Sequence, residues 1–153
     1  MGGHAVSPGA PDPARTLLLL DTHVLLWAVL NEPRLGRRAA KTINIASRQD
    51  RLAVSAITPW EIGLLESRKR IALQKDVLEW IRDALAKPGI SLVPLEPEIA
   101  VTSTRLPFPM HADPADRILV ATARYLGATL VTADKALLDA AKKGSFLAMD
   151  AAR

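Results

Sequence analysis

The stretch His111–Asp134, HADPADRILVATARYLGATLVTAD, decides how the rest of the chain is read. Ile118, Leu119, Ala121, Thr122 and Tyr125 recur at roughly helical spacing, and Pro114 stands near the first turn, where a missing N–H costs little. Gly127 supplies the left-handed residue that stops a helix. The apolar run Ala128–Val131 that follows is rich in β-formers and reads as a buried parallel strand. One carboxylate, Asp116, thus opens a helix, and a second, Asp134, lies just beyond the carboxyl end of the next strand. In an open α/β sheet that edge is where ligands bind.

Composition narrows the class before any other motif is considered. The chain has 153 residues, 49% hydrophobic and 24% charged, which suits one domain with a sizeable core. It has no cysteine, so disulfides, thiolate metal sites and cysteine nucleophiles are all excluded, as suits a reducing cytoplasm. Leu17–Leu20 and Val24–Leu30 are separated by Asp21 and His23, so no membrane span is expected. A net charge of +4 mildly favours an anionic partner. Residues 1–15, MGGHAVSPGAPDPAR, lack periodicity and the long apolar core of a signal peptide, and are expected to be a flexible tail before a domain over 16–150.

Outward from the quoted stretch, strands alternate with helices. Thr16–Leu20 reads as a central strand buried on both faces, and Thr22–Leu30 as the helix after it, with Asp21 between them. Arg34–Ser47 is expected as a basic helix and Leu52–Ser55 as a second strand. Thr58 and Glu61 fit a capping box around Pro59, opening a helix with Ile62, Leu64 and Leu65 that closes on Arg68-Lys69-Arg70. Asp76–Lys87 is a fourth helix, with Asp76 and Glu79 as another capping box; Ser91–Val93 is a third strand and Pro97–Thr104 a short helix. After Asp134, Lys135–Lys143 makes a last helix and Phe146–Ala148 a closing edge strand. This alternation predicts a three-layer α/β/α sandwich on a mostly parallel sheet.

Right-handed crossovers place the carboxyl ends of such strands on one edge. Asp21, Glu61, Asp116 and Asp134 all fall there. Each alone reads as a helix cap; together they form a cluster of anions that resists burial unless a cation compensates it. His4, His23 and His111 form no metal-binding spacing, so the site would be all oxygen, which suits Mg²⁺ or Mn²⁺. Such ions activate water and stabilise charge on a phosphodiester.

LLLLDTHVLLW, SAITPWEIGLL, HADPADRILVATA and LVTAD resemble, in order and spacing, the successive signatures of PIN domains, in particular of VapC-type toxins of bacterial toxin–antitoxin systems. The resemblance covers residues 16 to about 150. It implies a PIN-like sandwich and a Mg²⁺- or Mn²⁺-dependent endoribonuclease. It also implies an antitoxin seated in a groove, and a homodimer that builds a heterotetramer or larger assembly with it. By position, Asp21, Glu61, Asp116 and Asp134 match the acidic quartet. Asp113 would be an auxiliary metal ligand or a helix cap, and Thr132 would orient a carboxylate or a metal-bound water. Arg117, Arg124 and Lys135 are RNA-binding candidates flanking the acids; surface charge for solubility is the plain alternative for each. Trp60, Leu64 and Leu65 give one helix more apolar surface than it needs and are candidates for the antitoxin groove.

Other classes fit less well. Haloacid-dehalogenase-like phosphatases need an Asp at the position of His23, and a receiver domain needs one after Val93, where Pro94 stands. Neither GxGxxG nor GxxxxGK[ST] is present. A PIN fold that binds RNA or a partner without cutting is the alternative. His23, on the first helix, and His111, in a rim loop, are expected as ordinary residues rather than general bases, and Trp27, Trp60 and Trp80 as core or interface residues rather than base-stacking platforms.

Overall fold

A computed structural model describes residues 12–144 and 146–153; the expected tail lies outside the described residues as far as residue 11. At residues 12–15 the chain makes a turn, with Arg15 N–H and Thr16 N–H donating to the Asp12 carbonyl at 2.8 and 3.2 Å. The Arg51 guanidinium fastens this turn by donating to the carbonyls of Pro13 (3.2 Å) and Thr16 (2.6 Å).

The first strand, β1 (Leu18–Leu20), is fully buried. It lies between β2 (Leu52–Ser55) and β4 (Thr129–Thr132), with β3 (Ile90–Val93) and β5 (Leu147–Asp150) at the two edges. All pairings are parallel, with Leu18 opposite both Leu52 and Thr129, and Thr132 opposite Asp150. Alternation along the strands sorts the core into two layers. Leu18, Leu20, Leu52, Val54 and Val131 face one side, packed against α1 (Thr22–Leu30), α2 (Arg37–Arg48) and α4 (Val77–Leu85). Leu19, Ala53 and Leu130 face the other, against α6 (Pro114–Leu126) and α7 (Lys135–Lys142). Two further helices, α3 (Ile57–Ser67) and α5 (Pro97–Ser103), follow β2 and β3.

From β1 the chain steps to β2 and β3, then crosses back to β4 on the opposite side of β1. The order therefore reverses between β1 and β4, which opens a crevice at their carboxyl ends. Asp21 directly follows β1, and Asp134 lies two residues beyond β4.

Several boundaries differ from the sequence reading for physical reasons. The capping box at Thr58 and Glu61 is absent. The helix α3 begins two residues earlier than Pro59, at Ile57, whose N–H donates to the Ser55 hydroxyl at 3.1 Å, so Thr58 and Glu61 both lie inside the first turns. Pro59 is still accommodated, because the first four helical N–H groups have no intrahelical partner. The basic helix α2 starts at Arg37, three residues later than expected. Arg34 instead lies over the Trp27 ring, 5.3 Å from its centroid. Gly36 is pressed so closely against the Arg153 backbone that a Cβ would collide with it. The closing strand runs to Asp150, because its pairing follows β4 residue for residue. Gly127 caps α6 at φ 61°, and Asp76 caps α4 by accepting from Leu78 N–H and Glu79 N–H.

Candidate active site

Asp21, Glu61, Asp113, Asp116 and Asp134 line one cleft of about 360 Å³, together with His23, Trp27 and Ala133. Asp21 is the most enclosed, 8% exposed. Its Oδ1 accepts from Thr22 N–H at 2.7 Å and its Oδ2 from the Thr132 hydroxyl at 2.7 Å. Thr132 is wholly buried and in turn accepts from Asp134 N–H at 3.1 Å, so one hydroxyl links the acids after β1 and β4. Burial pushes the Asp21 carboxyl up, against the lowering effect of these two donors.

Glu61 reaches the cleft from α3. Its Oε1 accepts from the Thr22 hydroxyl at 2.6 Å, and that hydroxyl also lies 3.3 Å from the Thr58 hydroxyl. Thr22 thus holds two carboxylates, Asp21 through its N–H and Glu61 through its Oγ1. Burial raises the Glu61 pKa, and the charges on Asp21 and Asp113 raise it further.

Asp113 is the N-cap of α6: its Oδ1 accepts from Ala115 N–H (3.0 Å) and Asp116 N–H (3.4 Å). Asp134 likewise caps α7, accepting from Ala136 N–H and Leu137 N–H at 2.8 and 3.3 Å. Each of these two acids therefore faces the cleft while one of its oxygens is committed to a helix end. Asp116 stands in the first turn of α6 with no such commitment. Its pKa is pushed up to about 7, first by burial and then by the charges of Asp113, Asp21, Asp134 and Glu61. The His111 Nε2 lies 3.3 Å from its Oδ2, an ion pair whenever the imidazole is protonated.

Among the described residues, no three acidic or histidine side chains already converge on a common metal position. The donor set nevertheless fits a hard divalent cation. It is all carboxylate, and burial together with the charges of its neighbours raises one member, Asp116, to about 7. Mg²⁺ keeps several of its own waters and needs only one or two direct carboxylates.

The basic candidates divide. Lys135 is exposed beside Asp134 at the start of α7. Arg117 is not free for a ligand: its Nε donates to the Ser103 carbonyl at 2.8 Å and its Nη1 to the carbonyls of Met110 and His111 at 3.3 and 3.4 Å, which ties down the Pro-containing loop. Arg124 is in the last turn of α6, about 12 Å along the axis from Asp116 at 1.5 Å per residue. It covers the Phe108 ring at 5.5 Å, away from the acids. Trp60, Leu64 and Leu65 line an adjoining cleft of about 480 Å³ that shares Glu61 and Asp113 with the acidic one. Trp80 is a core residue, as expected, whereas Trp60 is 58% exposed.

Residues 18–143 match the PIN domain family model. The chain belongs to the PIN-domain family. A ribonuclease of Mycobacterium tuberculosis, VapC22, is 39% identical over 122 residues, a match that covers 80% of this chain and 90% of that protein. Solved structures share the fold at lower identity. The VapBC2 complex of Rickettsia felis bound to a promoter DNA fragment superposes with a TM-score of 0.61 at 13% identity, covering 87% of this chain and 97% of the matched chain. The DNA-bound VapBC complex of Salmonella typhimurium gives 0.63 at 15%, covering 88% and 98%. A FitAB-type complex of Neisseria gonorrhoeae gives 0.60 at 21%, covering 87% and 96%.

The sequence reading missed Thr22 as a site residue and took Thr58 only as a helix cap. The signal available was weak: a hydroxyl residue directly after Asp21, and another three residues before Glu61. Their pairing spans 36 positions and exists only once α1 and α3 are packed.

Proposed function

We propose that this PIN domain is a metal-dependent endoribonuclease, the toxin of a toxin–antitoxin pair, using Asp21, Glu61, Asp116 and Asp134 as its acidic quartet. The observation that carries the proposal is the meeting of these four carboxylates at the sheet's switch point, in a chain 39% identical to a ribonuclease. Asp21 and Asp116 would hold the cation, which is Mg²⁺ or Mn²⁺, with Glu61 and Asp134 completing the anionic wall and Asp113 near enough to assist. When bound, the ion supplies activation of water and stabilisation of charge on the phosphodiester. The protein's own groups do the rest. Thr132 and Thr22 hold the Asp21 carboxylate by two hydrogen bonds, which would limit how far it has to move to meet a cation. Thr22 sets Glu61 at the opposite wall. Attack of water on phosphorus with departure of the 3′ oxygen leaves 5′-phosphate and 3′-hydroxyl ends.

The antitoxin would seat an apolar segment against Trp60, Leu64 and Leu65, next to Glu61. A basic side chain from it reaching the quartet would neutralise the carboxylates, because a guanidinium makes bidentate, charge-assisted contacts with them. Homodimers bridged by antitoxin into heterotetramers or larger assemblies complete the reading, in a cysteine-free protein that works in a reducing cytoplasm. The test is induced expression in bacteria, with and without the adjacent small reading frame, together with mapping of RNA 5′ ends. Growth arrest with new 5′ ends, relieved by the neighbour and absent in Asp116→Ala, is expected. Equal toxicity from Asp116→Ala would overturn the catalytic assignment.

A further inference from the structure

Where the RNA lies is not determined by the acidic cleft, which repels phosphates unless a cation fills it. The helix α3 leads away from that cleft, and one of its faces carries Trp60, Leu64 and Arg68 at i, i+4 and i+8. All three line the 480 Å³ cleft, along with Leu65 and Arg70. From Trp60 to Arg68 the face spans about 12 Å.

The end of α3 places Arg70 with care. Lys69 adopts the left-handed conformation at φ 56°. Lys69 N–H donates to the Glu66 carbonyl at 3.0 Å and Arg70 N–H to the Leu65 carbonyl at 2.8 Å, the pairing of a Schellman turn with lysine where glycine is usual. The turn folds Arg70 back over Leu65, where it also lines a second cleft of about 390 Å³ with His23, Trp27 and Arg34. That second cleft shares Leu65 and Arg70 with the first and His23 and Trp27 with the acidic one, so each of the three clefts adjoins the other two. Among the described residues, Arg68 and Arg70 have no carboxylate partner, whereas Arg34 is paired with Glu32 at 3.5 Å.

An exposed indole beside unpaired guanidinium groups is the combination that holds single-stranded nucleic acid: aromatic faces stack unpaired bases and cations track the phosphates. We infer that the cleft along α3 is the track for single-stranded RNA on one side of the scissile bond, with Trp60 stacking a base and Arg68 and Arg70 holding the phosphates beyond it. A paired duplex would not expose a base face to Trp60. This rests on the ribonuclease reading and adds where the substrate lies.

The experiment measures binding without cleavage. The full chain is titrated in EDTA against a fluorescein-labelled single-stranded oligoribonucleotide by anisotropy, with the same sequence as a duplex for comparison. Trp60→Ala is expected to weaken single-strand binding roughly five- to a hundredfold, and Trp60→Phe to restore most of it. Arg68→Gln with Arg70→Gln should lower the slope of log affinity against log salt by about 1.4, two contacts at about 0.7 each. Tyr125→Ala and Lys142→Gln, exposed residues on other helices, should change neither. Wild-type affinity in Trp60→Ala, or a duplex bound as tightly as the single strand, would overturn the inference. So would loss of affinity for the neighbouring antitoxin alone, with RNA binding intact, since the surface would then serve only the protein partner. Cleavage is scored separately in Mg²⁺: binding that obeys Trp60 without any cleavage would leave the track standing and remove the nuclease reading.

Discussion

Asp116→Asn should stabilise this PIN domain in metal-free buffer, and by an amount that grows with pH. The Asp116 carboxyl sits at about 7 in the folded protein against an ordinary 3.8, raised by burial and by four neighbouring carboxylates. The folded state therefore holds a proton that the unfolded chain has lost between those two values, and stability falls as pH rises through that window. The full shift corresponds to about 4 kcal/mol at 1.36 kcal/mol per pH unit. Contact with water across the cleft mouth brings this to roughly 2 kcal/mol. Removing an anion from the first turn of α6 costs about 0.5 kcal/mol of helix-dipole interaction, which leaves a net gain of about 1.5 kcal/mol above pH 7. For a chain of this size, that is a rise in Tm of roughly 3–6 °C. At pH 5 the gain should shrink to roughly a third of its value at pH 8, because the unfolded chain is by then ionised at Asp116 while the folded protein is not, and it should vanish only below about pH 4, where both are protonated. Thermal unfolding followed by circular dichroism from pH 5 to 8 in EDTA reads this directly. A Tm difference independent of pH, or a variant less stable than wild type at pH 8, would refute the electrostatic account of the site.

Other consequences are quick to check. Mn²⁺ binding to wild type at pH 6.5 should release a proton, seen by calorimetry in buffers of different ionisation enthalpy, and Asp116→Asn should lose most of that release. Thr22→Val should lower activity at least tenfold with little change in Tm, and Thr22→Ser should restore it, because a serine hydroxyl can still donate to Glu61. Asp134→Ala should lose activity and also about 1 kcal/mol of stability measured by urea unfolding, since it removes the cap of α7. Lys69→Gly should stabilise by roughly 0.5–1 kcal/mol in the same assay, because glycine carries no penalty at a positive φ.

Much of the framework was readable because parallel strands buried on both faces appear as unbroken apolar runs. Leu17–Leu20 announced the central strand in this way, and Gly127 marked the stop of α6 because few other residues take φ 61° cheaply. The position of the acids was readable for a related reason: carboxylates after strands fall on the carboxyl edge whatever the details of packing. What the carboxylates touch was not readable. Glu61 was expected to cap its own helix, yet it accepts from a hydroxyl 39 residues away, a partner that exists only after α1 and α3 meet at the edge of the sheet. The cations misled in a similar way. Arg117 and Arg124 flank an acidic motif in sequence, but a guanidinium on a long stem goes where carbonyls or an aromatic ring await it, and here those are Ser103, Met110, His111 and Phe108. Conversely, Arg68 and Arg70 looked like helix-end charges until the turn at Lys69 brought Arg70 against Leu65.

The central claim is that the acids at the switch point cut RNA with a divalent ion, and the most direct measurement uses purified protein and a 5′-labelled RNA. Wild type in Mg²⁺ should yield discrete fragments with 5′-phosphate and 3′-hydroxyl ends, EDTA should abolish them, and Asp21→Asn, folded by circular dichroism, should yield none. Undiminished cleavage in excess EDTA, or by Asp21→Asn, would contradict the account.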